Sequence, residues 1–139
     1  QSSINVMKKK ENNNIQISVN SIYLEEHSDP SEDSFLWAYQ VKIKNNGLNT
    51  VKLIRRHWKI IDSNGNAKEV KGEGVVGEQP ILEPGETFEY TSGTPLQTSS
   101  GLMHGSYFMK SIENNEEGGF EVKIPAFSLD TPNSVKTLN

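Results

Sequence analysis

Apolar and polar residues alternate through the middle of this chain, the period-2 pattern of strands with one buried face. The run from Phe35 to Lys44 is the clearest. It places Trp37, Tyr39, Val41 and Ile43 on one face and Gln40, Lys42 and Lys44 on the other. Burying an apolar side chain of this size is worth roughly 1.5–3 kcal/mol, so this face can anchor a core. Ile15 to Val19 alternates too, then shifts phase to Ile22, Tyr23 and Leu24, which predicts a bulge or a strand end. From Val51 to Asp62, Ile54, Trp58 and Ile60 share a face with Arg56, while Arg55, His57 and Lys59 take the other. Glu86 to Thr91 turns Phe88 and Tyr90 inward. Leu102 to Met109 reads as a strand in which Gly105 predicts a bulge or a close backbone approach. Phe120 to Ile124 alternates strictly, Pro125 stops or edges it, and Ala126 to Leu129 extends the core contact.

Turn signals separate these runs. Asn45-Asn46-Gly47 ends the first strong strand. Asn64-Gly65 predicts a type I′ hairpin with Ala67 to Val70 as the returning strand. Glu25 to Ser34 is a charged turn bent at Asp29-Pro30 and lacks the register of a calcium loop. Pro84-Gly85, the Gly-, Ser-, Thr- and Pro-rich stretch Ser92–Gly101, and Asn114–Gly119 read as a turn, a loop and a tight turn. No run has an amphipathic helical period. About seven antiparallel strands with closely spaced turns predict an all-β sandwich of the immunoglobulin or fibronectin type III kind. Its predicted core holds Trp37, Tyr39, Val41, Ile43, Trp58, Phe88, Tyr90, Tyr107 and Phe120. Residues 1–14, with Lys8-Lys9-Lys10, read as a polar N-terminal arm, 15–129 as the sandwich and 130–139 as a polar tail.

Composition narrows the function classes. A length of 139 residues suits one domain. Cysteine is absent, which removes disulfides, thiolate nucleophiles and zinc–thiolate sites and suits a reducing compartment. The net charge is −4, which argues against nucleic acid as a partner. No stretch reaches the apolar length of a membrane span and no secretory signal pattern opens the chain. A soluble cytoplasmic protein is expected, monomeric or weakly self-associating, with no membrane partner and no cofactor.

Gly72, Gly74 and Gly77 spell G-x-G-x-x-G. In dinucleotide-binding proteins that spelling opens a helix whose free amides hold the pyrophosphate. Here Glu78-Gln79-Pro80 and Pro84-Gly85 follow, and prolines four apart do not continue a helix. An anion nest of loop amides is the surviving phosphate reading, but Glu73 and Glu78 would repel the ligand. The glycines are expected to serve a loop between strands. Gly72, Gly74, Gly77, Glu78 and Arg56 are the candidate residues for contacting a ligand or a protein partner, and the Pro95–Gly101 loop is a second candidate surface.

Other chemistry finds less support. Of His27, His57 and His104, the last two fall on predicted strands and could hold cobalt or zinc with Glu73 or Glu78, although no familiar ligand spacing is present. Ser106 follows His104-Gly105 without a nucleophile elbow. Arg56, at the inward parity of Trp58, is expected to be partly buried and paired with a glutamate such as Glu73. Anchoring of an acidic peptide is its functional alternative.

Several stretches in order are familiar: Tyr23-Leu24-Glu25-Glu26, Ser28-Asp29-Pro30, Arg56-His57-Trp58, Gly72 to Pro80, Pro84-Gly85-Glu86, Phe88 to Gly93, Met103 to Tyr107 and Ile124 to Leu129. Together they resemble the bacterial ApaG family, from about Ile15 to Leu129. The resemblance implies a fibronectin type III-like sandwich and no established enzymatic activity. It implies a loose link to cobalt tolerance and magnesium efflux. Related domains in larger eukaryotic proteins look like protein-interaction modules, so a protein or peptide is the partner implied. The family supplies no agreed catalytic residues. It often has a cysteine or a similar small residue where this chain has Thr94, a departure that tells against thiol chemistry.

Overall fold

The computed structural model describes residues 14–112 and 118–132. The N-terminal arm up to residue 13, the turn over 113–117 and the tail from 133 onward lie outside the described residues. Among the described residues eight strands form two antiparallel sheets: β1 (Ile15–Tyr23), β2 (Phe35–Asn45), β3 (Val51–Asp62), β4 (Ala67–Glu73), β5 (Ile81–Leu82), β6 (Thr87–Leu96), β7 (Ser100–Ser111) and β8 (Phe120–Asp130). One sheet has the order β1-β2-β6. The other runs β4-β3-β7-β8, with β5 also paired to β3. The predicted all-β sandwich is the fold. The strand beyond the expected seven is the two-residue β5, too short for periodicity to reveal.

The inner faces pack a continuous core. Trp37, Val41, Ile43, Leu53, Tyr107, Met109, Val122 and Leu129 are fully buried, with Trp58 and Met103 nearly so. Trp58 meets Tyr39, Tyr107 and Phe127 edge-on, the offset geometry aromatic rings prefer. Phe88 and Phe120, expected inside, are only partly buried at the margin. The Trp37 indole donates to the Asp130 carbonyl at 2.9 Å, and the Ser21 hydroxyl donates to the Ser128 carbonyl at 2.9 Å. These two bonds stitch the sheets together along the β1/β8 side.

Three local expectations are corrected. β1 runs in unbroken register with β2 from Ile15 to Tyr23. No bulge occurs; Ile22 points to solvent, half exposed, and Ser21 takes the inward place because its hydroxyl finds Ser128. β6 continues through Gly93 and Pro95 to Leu96, leaving a short hairpin where a long loop was expected. An edge strand tolerates the missing proline N–H. β8 passes through Pro125 as the edge strand of its sheet, the second of the two outcomes expected of that proline, next to a register shift against β7. Finally, the Asn64-Gly65 turn is not type I′, since only Gly65 takes positive φ. The Asp62 carboxylate accepts the amides of Asn64 and Asn66, both at 2.9 Å, and this side-chain turn lengthens the connection.

A second register shift fixes the region of interest. β3 carries a bulge at Ile54, between the pairs Leu53–Met109 and Arg55–Phe108. The bulge reverses parity, so Val51 and Leu53 face the core together with Trp58 and Ile60. Simple alternation had put Ile54 in that company.

Candidate functional site

β4 and β5 pair with the same side of β3. They form one edge strand interrupted by an excursion over Gly74–Pro80, directly opposite the β3 bulge. The excursion is closed at its base by consecutive β3 residues. Gly74 N donates to the Ile54 carbonyl at 2.8 Å, and Leu53 N donates to the Pro80 carbonyl at 3.0 Å. The Gln79 side-chain amide adds a second bond to the Ile54 carbonyl at 3.0 Å. The extra backbone of the bulge is therefore what receives the glycine segment.

Within the excursion, Val75 and Glu78 exchange both main-chain hydrogen bonds, at 2.7 and 2.9 Å. Val76 and Gly77 sit between them at φ 42° and 82°, the positive-φ pair of a two-residue type I′ turn. Val75 is fully buried and pins the hairpin to the core, while Val76 at the tip is 53% exposed. Positive φ is an outlier for a β-branched residue. Gly74 is obligatory: at φ 64° a Cβ would stand 2.1 Å from the Glu78 carbonyl oxygen. No helix follows Gly77, and the Val75 and Glu78 amides are spent inside the hairpin, so the cradle a dinucleotide needs is not built here.

Arg56 faces inward as its parity predicts, but its partner differs from the expected one. Its Nη1 donates to the carbonyls of Glu73 at 3.1 Å and Gly74 at 3.0 Å. The Glu73 carboxylate is elsewhere, because Glu73 is the register partner of Arg55 and turns outward with it. Gly72 pairs with Arg56 across the strands; a Cβ there would lie 2.8 Å from Nη1. Arg56 thus clamps the entry to the hairpin, and Gly72 makes room for the clamp. Gly72, Gly74, Gly77, Glu78 and Arg56 do come together in one structural unit.

His57 and His104 lie on the outer face of the larger sheet, while His27 lies in the turn after β1. His57 and His104 both line a shallow depression of 260 Å³, shared with Lys59, Ser106, Glu121 and Lys123. The carboxylate against His57 is Glu69, at 2.6 Å from Nε2, rather than Glu73 or Glu78. This bond holds the Glu69 carboxyl below its usual range. Glu69 sits diagonally across β4, a neighbour visible only once the register is known. Among the described residues no three His, Asp or Glu side chains are grouped to hold a metal. Beside this, Arg55 stacks over Phe108, its Cζ 4.3 Å from the ring centroid.

A buried polar link that sequence reasoning missed joins the sheets. The hydroxyls of Tyr90 on β6 and Tyr107 on β7 hydrogen-bond to each other inside the core. Burial pushes both phenols above their ordinary value. Periodicity placed both rings inside, but it carries no information about which hydroxyls meet.

Two antiparallel sheets, with a pinched glycine hairpin let into one edge, define a small β-sandwich module. The ApaG domain family matches residues 25–111, and the chain belongs to that family. It is 52% identical over 125 residues to Protein ApaG of Paramagnetospirillum magneticum, covering 90% of this chain and 94% of that protein. It is 56% identical over 118 residues to Protein ApaG of Rhodospirillum centenum, covering 85% and 88%. Among solved structures it is similar to an ApaA protein from Bordetella pertussis, with a TM-score of 0.81 and 47% identity over 85% of this chain and 94% of that one. Among the described residues no helix is long and apolar enough to cross a membrane.

Proposed function

We propose that this chain is a non-catalytic binding module that docks a protein partner through the Gly74–Pro80 hairpin. Val76 carries the reading. A left-handed backbone costs an L-residue roughly 1–2 kcal/mol, and conformations of this kind cluster where a segment is held for recognition. Here the strained residue is apolar and projects into solvent from a base fixed by Gly74, Gln79, Pro80 and Arg56. A rigid apolar tip loses little freedom on docking. The lack of cysteine fits a cytoplasmic setting. The part in cobalt tolerance or magnesium efflux that the family resemblance implies then runs through the partner, not through metal held by this chain.

Site-specific photocrosslinking in cell lysate tests this. A photoreactive residue at position 76 is expected to give a discrete adduct, and the same residue at exposed position 22 is expected to give none. Equal adducts from both positions would remove the hairpin as the docking element. Calorimetry is expected to show no heat with cobalt; saturable heat would restore direct metal binding.

A further inference from the structure

The sandwich is closed on one side and open on the other. The β1/β8 side is bridged by Ser21 and Trp37. On the opposite side stand β4 and β6, the remaining outer strands of the two sheets, and no hydrogen bond joins them among the described residues. Between them lies a groove of 620 Å³. Ile60, Ala67, Pro95 and Leu96 give it an apolar lining; Glu32, Asp33 and Asp62 set three carboxylates on it against the single ammonium of Lys68. One step deeper along the same strand faces, Trp58 Nε1 and Thr94 Oγ1 are buried without a hydrogen-bond partner among the described residues.

We propose that this groove accepts an extended peptide of alternating apolar and basic residues, added as a strand to β4. An unpaired edge offers main-chain donors and acceptors in a row, and alternate side chains of an added strand point to opposite sides. One set meets the apolar lining. The other meets the carboxylates, which select Lys or Arg and repel acids. The site differs from the Gly74–Pro80 hairpin in position, charge and kind of contact, and stands independently of it.

A fluorescein-labelled heptapeptide of alternating Lys and Val is the probe, titrated by anisotropy against the whole chain, with the Glu/Val counterpart as control. The Lys/Val peptide is expected to bind and the Glu/Val peptide to bind at least tenfold more weakly. Glu32→Lys is expected to weaken the Lys/Val peptide about tenfold, the scale of losing one favourable charge contact, and Lys68→Glu to strengthen it. Amide shifts on binding should fall on Ala67–Val70 and on Leu96 and Gln97. Both exchanges are on exposed side chains, so the fold is retained, and a native amide spectrum checks this. Equal binding of the two peptides, indifference to Glu32→Lys, or shifts confined to Gly74–Pro80 would overturn the proposal. So would a concentration-dependent dimer abolished by Glu32→Lys, which would give the groove to a second copy. Loss of peptide binding with the position-76 adduct intact rejects the groove alone; loss of the adduct with peptide binding intact rejects the hairpin alone.

Discussion

The Arg56 guanidinium occupies the space that a side chain at Gly72 would fill. The two are register partners across β3 and β4, and a Cβ at 72 would fall 2.8–2.9 Å from three guanidinium atoms. Gly72→Ala therefore displaces the clamp and is expected to cost about 1–3 kcal/mol, the range of overpacking. In an Arg56→Ala background the same change should cost much less, because the obstacle is gone. Urea unfolding of the two single variants and the double variant gives the coupling energy, expected between about 0.5 and 3 kcal/mol. A coupling near zero would show that Arg56 and Gly72 do not share that space.

The other two glycines separate by a different criterion. Gly74→Ala combines φ 64° with a 2.1 Å approach to main chain that cannot swing aside. It is expected to cost about 3 kcal/mol or more and to loosen the hairpin. Gly77, at φ 82° with open space around it, should lose only about 1 kcal/mol to Ala, the backbone cost alone. The midpoints of urea unfolding should rank Gly77→Ala well above Gly74→Ala. A reversed order would contradict the pinched geometry.

This contrast shows what a single sequence can carry. Alternation located six of the seven long strands and turned Trp37, Tyr39, Trp58 and Tyr107 inward, because burial on one face writes a period of two. Prolines after Gly77 were enough to reject a helix. What stayed hidden depends on tertiary pairing. The bulge at Ile54 breaks parity, so Leu53 went unnoticed as core. Glu69 meets His57 only through the β3–β4 register. Asn64-Gly65 spells a type I′ turn and does not form one, because Asp62 captures its amides. Val76-Gly77 forms one although a β-branched residue is poorly suited to it. Turn type there is imposed by the closed base, which lies outside the turn itself.

The Tyr90–Tyr107 hydroxyl pair sets an alkaline limit. Burial raises both phenols; Tyr90 further opposes ionisation of Tyr107, whereas the hydrogen bond from Tyr107 partly offsets the rise at Tyr90. A group whose folded pKa is raised contributes stability that is complete below its unfolded value, about 10 for tyrosine, and lost as pH climbs toward the folded value. Unfolding free energy should thus fall above about pH 10. Tyr107→Phe, which leaves the Tyr90 hydroxyl buried and alone, is expected to cost about 1–3 kcal/mol. The double variant Tyr90→Phe/Tyr107→Phe should recover part of that loss and flatten the alkaline slope. A double variant as unstable as the sum of the singles would deny the pairing.

The Glu69 carboxyl should titrate below its ordinary range because of the hydrogen bond to His57. The sign is that of a depressed acid: its contribution is present above the unfolded pKa and is lost as pH falls through the folded one. Carboxyl NMR of the native protein should show the Glu69 resonance moving below the ordinary glutamate range. In His57→Ala, which removes the hydrogen-bond donor, Glu69 should move back toward that range. An unchanged Glu69 titration in that variant would place the cause in Lys71 and Lys59, the weaker influences on the same carboxyl.

Val76 sets stability against recognition. Asparagine is the L-residue that best tolerates a left-handed backbone, so Val76→Asn should relieve part of the roughly 1–2 kcal/mol strain. The side chain is half exposed and contributes little to the core, so the loss of apolar contact is small. The variant should therefore unfold at a higher urea concentration than the parent, a gain of about 1 kcal/mol or less. If the strained tip is the docking element, this more stable variant should also compete poorly with the parent for the partner captured by crosslinking at position 76. Val76→Ile keeps both the strain and the apolar tip and should compete as well as the parent. Matched competition by Val76→Asn and Val76→Ile would mean that the tip serves the fold alone.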